Sequence, residues 1–376
     1  MKKLFCIFIM FFLFGGINVY AEGTDIVDDA IEISGANDIA MPDDANVFMD
    51  ENHISISEPS GTLAVTPKAV LAYMWKSFKD KLTEPIRLLG GLIAITILAS
   101  IIEAMGDTMS SQSMTKIYNI ISILICIGII ANPICSCIQN TTSTLIAGGN
   151  FMVSYVPVFS SITAAGGSIT SAGSYNIIVL AVAEIFTQIA KIFLTPMLGL
   201  CLALAVVEAI NPTISLSGLT NGIKKIATWG IGFLMTIFVG MLTIQSIVGT
   251  SADTVGIKAT KFVVSNFVPV IGGAISDAYT TVRGSLGVLR SGVGSFGIIA
   301  LILTVLPTIM SVLAIQLSVY IGGIISEIFG VKQINAFLKN VSSVLSIALS
   351  LLLCFSLMLI ISTTIMMLIG MNINMN

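Results

Sequence analysis

The chain has 376 residues, of which 55% are hydrophobic and only 10% charged. A soluble domain carries about 25% charged residues, so most of this chain calls for lipid as its solvent. Its net charge of -3 excludes the basic density of a nucleic-acid groove.

Charge is segregated along the sequence. Residues 22 to 67 hold eleven acidic side chains and no lysine or arginine, whereas from Lys68 onward fifteen basic side chains face nine acidic ones. At the start, Lys2 and Lys3 precede an apolar run from Leu4 to Phe14, and Val19-Tyr20-Ala21 ends in a small residue. This is the pattern of a signal peptide over residues 1–21, cleaved after Ala21. An uncleaved anchor is the alternative, although the run is short of the roughly 20 residues a span needs. Residues 22–61 mix acids with Gly, Ser, Asn and Pro around isolated Ile and Val, and bury too little apolar surface to offset chain entropy. They read as a mostly disordered, extracytoplasmic arm. His53, the one histidine, falls there.

Residues 62–84 place Leu63, Val70, Leu71, Met74, Trp75, Phe78 and Leu82 at helical spacing, with Lys68, Lys76, Lys79 and Lys81 on other faces. Either an interfacial helix with Trp75 at headgroup level or a helix packed on the membrane body fits that pattern. From residue 85 to 370 the expected architecture is an all-α polytopic membrane bundle. Span candidates are Ile86–Met105, Ile117–Ile138, Trp229–Gly249, Gly297–Ile325 and Val341–Gly370. Tyr175–Ile210 is too long for one span and is interrupted at Thr195-Pro196, as a span plus half-helix or a tight hairpin. Positive charge is spread too evenly over the loops to fix sidedness, and four to eight spans remain open.

An internal repeat of about 111–114 residues runs through this body. Phe151-Met152-Val153-Ser154 followed by Val156-Pro157-Val158 recurs as Phe262-Val263-Val264-Ser265 followed by Val268-Pro269-Val270. Pro196 and Pro307 lie 111 apart, and Asn221 and Asn335 lie 114 apart. The repeats sit near 151–249 and 262–369. Each Val-Pro-Val segment is short, Gly-flanked and Ser-rich, so both are expected to be discontinuous or re-entrant helices shielded by the bundle. A coarser unit, a helix pair with Glu at one shoulder and Lys at the other, occurs three times, at Glu103/Lys116, Glu208/Lys224 and Glu327/Lys339.

Enzyme signatures are missing from the membrane body. It has no histidine to serve as a base, and it lacks both His-Glu-x-x-His and a phosphate-binding Gly-Lys-Ser/Thr loop. No catalytic residue, metal ligand or cofactor is expected. Cys135 and Cys137 form a Cys-x-Cys with no second pair, so the cysteines read as small apolar side chains. Glu184, Gln188 and Lys191 share one helical face in mid-run. Because a lipid-facing charge is expensive, this stripe is expected to face the bundle interior, as a polar pathway or as a structural ion pair. Arg283 and Arg290, seven apart with Val282, Leu286 and Leu289 on another face, suggest an interfacial or partner-contacting helix. The glycine-dense stretch Gly287–Gly297 suits close helix packing.

Behind the signal peptide and acidic arm, the Trp-bearing helix, Phe262–Val270, Gly272-Gly273-Ala274-Ile275-Ser276-Asp277-Ala278 and the glycines up to Gly297 resemble the stage III sporulation protein AE family of endospore-forming bacteria; the resemblance covers about residues 62–370, is most specific over 262–297, and draws nothing from the acidic arm. The resemblance implies a multi-pass protein of the mother-cell membrane that faces the forespore. It also implies a place in a transenvelope complex with the other stage III A sporulation proteins and forespore protein Q, as a channel or export-platform subunit. The residues alone also admit a secondary transporter with a site between the repeats, or a non-conducting scaffold. The resemblance assigns no catalytic residue.

Overall fold

In the computed structural model the described residues are 49, 72–73, 75–76, 78–79, 81–108, 112–211, 216–267 and 272–372. They form helices, with short turns at 166–168 and 329–331 and no strand among the described residues. In chain order these are α1 (Thr83–Thr108), α2 (Gln112–Ala165), α3 (Ile169–Gln188), a π-helical turn (Ile189–Leu194), α4 (Thr195–Ile210), α5 (Ser217–Phe267), α6 (Gly272–Ile328) and α7 (Lys332–Asn372). Six stretches are long and apolar enough to cross a membrane, as expected of an all-α multi-pass protein.

Helix length is the surprise. The apolar parts of α2 and α6 each run 49 residues and that of α5 runs 43. At 1.5 Å per residue, 49 residues extend about 74 Å, more than twice the roughly 30 Å of a hydrocarbon core. α1 alone, with a 23-residue apolar stretch, matches one bilayer.

The unusual length arises because expected interruptions are absorbed. Val156-Pro157-Val158 lies inside α2, which also contains Pro133. The re-entrant break expected there is therefore corrected: the helix is continuous, with Val156 and Val158 buried. A proline costs the carbonyl four residues back its N–H partner, and such losses are tolerated where neighbouring helices and hydroxyls compensate. The carbonyl that loses its partner to Pro157 is that of Val153; next to it Ser161 donates to the Pro157 carbonyl at 2.9 Å and Ser154 to that of Phe151 at 2.9 Å. Val268, Pro269 and Val270 lie outside the described residues. The interruption expected at Thr195-Pro196 falls where the helix is irregular, but it is a π-turn rather than a gap or hairpin. The Thr195 N–H bonds back to the Ala190 carbonyl, and its hydroxyl reaches the same oxygen at 3.0 Å. The two prolines 111 residues apart are accommodated differently, since Pro307 sits within continuous α6.

α6 and α7 pack together at the centre, and the other helices surround them. The burial contrast is sharp: 83% of the α7 apolar window is buried against 17% of that in α5. Two turns need glycine, because Gly167 (φ 89°) and Gly330 (φ 77°) adopt the left-handed conformation. Met49, the described residue of the acidic arm, is helical and buried.

Candidate functional site: an aromatic seam, polar contacts and two outer bands

A ladder of rings runs down the second half of α2. Phe151 stacks on Tyr155 (5.3 Å between centroids), Tyr155 on Phe159 (5.4 Å), and Tyr175 of α3 meets Phe159 edge-on at 5.8 Å. All four rings are buried to within 1% of completely. The Tyr155 hydroxyl donates to the Val293 carbonyl on α6 at 3.2 Å. The glycine-dense stretch lies against this ladder. A Cβ on Gly297 would enter the Tyr155 ring, and one on Gly294 would strike Met367 and the Phe159 ring. Glycine is needed here for close approach of helices, as in other membrane bundles.

Hydroxyl pairs stitch the helices at mid-height. Thr142 meets Thr195 at 2.6 Å and Thr144 meets Thr308 at 2.7 Å, next to Pro196 and Pro307. Paired hydroxyls satisfy polar groups that lipid or protein cannot solvate. Replacing Thr144 by Val should lower stability by about 1 kcal/mol, read as a fall in the thermal midpoint of the purified protein.

The expected polar stripe points the wrong way. Glu184, Gln188 and Lys191 are exposed on the outside of the bundle. Gln188 donates to Glu184 at 2.7 Å, and no Glu184–Lys191 ion pair forms. This corrects the inward orientation, because a shared face says nothing about which way it looks. Arg283 and Arg290 are the converse case. Expected at an interface, they are 7% and 4% exposed inside the bundle. Arg283 Nε donates to the Gly166 carbonyl at 3.0 Å and Arg290 to the Met367 carbonyl at 3.3 Å. Gly166 follows the last residue of α2, and Met367 lies near the end of α7, so each cation meets the negative end of a helix dipole. Trp75 is exposed, with Phe78 at 6.0 Å and the Lys79 ammonium 5.6 Å from its ring.

Sequence reasoning missed Asp253. It is 5% exposed, and its carboxylate accepts the Thr170 and Ser171 N–H groups at 2.8 and 3.0 Å. It thus caps the start of α3 from α5, while the local cap residue Ser168 makes no side-chain cap bond. Gln245, one helical stretch earlier on the same face of α5, donates to the Ser171 carbonyl at 3.0 Å. The available signal was that Asp253 is the one charged residue between Lys225 and Lys258.

Of the Glu-Lys shoulders, the third closes on itself. Lys339 pairs with Glu327 at 3.1 Å, and Asn335 donates to the same carboxylate oxygen at 2.9 Å. In the second, Glu208 and Lys224 reach α7 instead, at Asn340 (3.1 Å) and Ser343 (3.4 Å). Both members of the Glu327–Lys339 pair are about two-thirds exposed, so Lys339→Ala should leave the thermal midpoint unchanged within error.

Exposed apolar side chains line several helices, with Ile177, Ile185 and Ile192 beside Glu184 and with two bands on α2 and α5. Near the start of α2 the exposed side chains are Ile117, Tyr118, Ile120, Ile121, Leu124 and Ile125. The same face continues with Asn132, Cys135, Gln139, Ser143 and Asn150 and returns to an exposed Val153. On α5 exposed apolar side chains run from Leu219 and Ile226 through Trp229, Phe233, Met241 and Val248 to Val255 and Phe262. Along it, Gly249 lies against Ser171 next to the α2–α3 turn.

A family model described as Stage III sporulation protein AE matches residues 53–370. The chain belongs to that family. It is 23% identical over 303 residues to the stage III sporulation protein AE of Bacillus subtilis (strain 168), covering 81% of this chain and 75% of the relative. No solved structure matches. Membership places this multi-pass protein in sporulation, and the matched region takes in every helix from α1 to α6 and nearly all of α7.

Proposed function

We propose that the protein is a membrane-embedded component of the sporulation transenvelope complex between mother cell and forespore, acting as a channel or export-platform subunit. It sits in the mother-cell membrane with its N-terminal arm on the extracytoplasmic side. The other stage III A sporulation proteins and forespore protein Q are its partners. The observation that carries this reading is the height of the bundle. Helices of about 74 Å reach well past one bilayer, which suits a part that joins structures on its far side better than a self-contained carrier. A secondary transporter would place its charged site at the heart of the bundle, whereas Glu184, Gln188 and Lys191 lie on the outside.

Purification from sporulating cells tests the proposal. Tagged protein extracted in mild detergent should bring down the other stage III A proteins. Recovery of the tagged chain alone, under conditions where those proteins are present in the lysate, would remove the complex and leave a stand-alone membrane protein.

A further inference from the structure

A line of uncharged polar side chains runs along the outside of α2. Asn132, Gln139, Ser143, Asn150, Ser154 and Ser161 follow one another at intervals of 7, 4, 7, 4 and 7 residues. Eleven residues make three helical turns to within about 20°, so the line lies almost parallel to the helix axis. At 1.5 Å per residue it extends about 44 Å. All six are exposed except Ser154, which is half-buried. Among the described residues, the carboxamides of Asn132, Gln139 and Asn150 bond to no other group. Val153 is the one large apolar side chain that α2 exposes after Ile125.

The charged stripe of α3 joins this line. Thr187 faces Gly149 and Thr195 meets Thr142, which sets Glu184, Gln188 and Lys191 at the height of Ser143 to Ser154. Glu184 stands three residues before Thr187 and Lys191 four after it, so both lie on the side of α3 that looks to α2. α5 exposes a different surface at the same height. Both α2 and α7 run antiparallel to α6, and Phe355 of α7 lies against Gly148, so Ser343 is level with about residue 136 of α2. From Lys224 at Ser343 to Gly249 at Ser171, α5 exposes Trp229, Phe233, Ile237, Met241 and Ile244. An apolar exterior of that extent is covered by lipid or protein rather than open water. Three unpaired carboxamides and two charges within one sector of it call for water instead, because hydrocarbon leaves them unsatisfied.

We infer that this sector, the outer face of α2 together with Glu184, Gln188 and Lys191, is the wall of a water-filled passage. The inference rests on the channel reading proposed above, since the facing walls come from other subunits of the complex. Each chain thus turns a covered apolar side at α5 and a wetted side at α2.

Thiol labelling of the full chain tests this in membranes of sporulating cells, sheared open so that both faces meet the reagent. Cys135, exposed between Asn132 and Gln139, is a probe already present in the chain, whereas Cys126, Cys137 and Cys201 are buried. Gln139→Cys and Asn150→Cys extend the line, and Met241→Cys on α5 is the comparison. A small cationic methanethiosulfonate should modify Cys135 and the cysteines at 139 and 150 at least about tenfold faster than the one at 241, because the thiolate is the nucleophile and apolar surroundings suppress it. A polyethylene-glycol maleimide too bulky to pass between packed bundles should modify none of them until detergent unfolds the protein. Unreactive α2 thiols would overturn the inference, since lipid or packed protein then covers the face. Reaction with the bulky maleimide in intact membranes would overturn it too, as would equal reactivity at position 241, because the face then stands in open solvent. Co-purification reads complex membership separately. Unreactive α2 thiols in a chain that still brings down the other stage III A proteins would remove the passage and leave that membership standing.

Discussion

Gly297→Ala should be among the most damaging single substitutions in this protein, with a loss of about 3 kcal/mol for one added methyl group. The reason is the position of the Tyr155 ring, which occupies the space where the Cβ would sit. Tyr155 is fully buried, stacked on both sides and hydrogen-bonded to the Val293 carbonyl, so it has nowhere to move. Overpacking a tight core costs about 1–3 kcal/mol, and a rigid neighbour puts the site at the upper end. Thermal unfolding in detergent measures it, and a second variant supplies the check. Tyr155→Ala should itself cost about 3–5 kcal/mol through the cavity it leaves. The double variant should then be clearly less unstable than the sum, because the methyl group enters space the ring has vacated. Additive losses would mean that the ring and the glycine do not share that space.

Asp253→Ala is expected to cost about 3 kcal/mol. It removes the carboxylate that accepts two N–H groups at the start of α3, from a site 5% exposed. Stranded buried donors cost roughly 1–3 kcal/mol each, and the charge also complements the positive end of the helix. Asp253→Asn keeps one acceptor and loses the charge, so it should recover about half of the loss. Hydrogen exchange localises the effect: in Asp253→Ala the amides of Thr170 and Ser171 should exchange much faster, while those of central α7 follow the global stability. Equal acceleration everywhere would mean that Asp253 supports the whole bundle rather than the cap.

These two residues show where the sequence could be read and where it could not. The helical, membrane-spanning class follows from composition, and α1 was expected at Ile86–Met105 and is found at Thr83–Thr108. The other helices are longer than expected because polar and charged residues were treated as helix ends. Trp229–Gly249 becomes Ser217–Phe267, and Gly297–Ile325 becomes Gly272–Ile328. Lysine, threonine and serine end a hydrocarbon span, not a helix, and once a bundle rises beyond the bilayer that distinction matters. Hydroxyls beyond the expected spans bond back along their own helix, as Thr141 does to the Cys137 carbonyl at 2.8 Å.

Direction was the other obstacle. Helical spacing grouped Glu184 with Gln188, and Arg283 with Arg290, but lipid and protein core are both apolar, so the pattern could not say which group faced inward. The first pair turned out to face outward, and the arginines are inside. Packing partners settle it: the arginines find helix ends, while Glu184 finds only its neighbour on the same helix.

The unbroken 54-residue α2 has a consequence for how this chain can change length. Removing one residue from a helix rotates everything beyond it by about 100° and slides it by about 1.5 Å. In α2 such a deletion would swing the aromatic ladder away from Gly294 and Gly297 while leaving the first half in place. Insertions and deletions among relatives should therefore gather at turns between helices, such as those at Gly167 and Gly330, and avoid the long helical runs. The π-turn at Ile189–Leu194 shows the alternative: a single supernumerary residue can be held as one wide turn, with the rest of the helix still in phase with its neighbours.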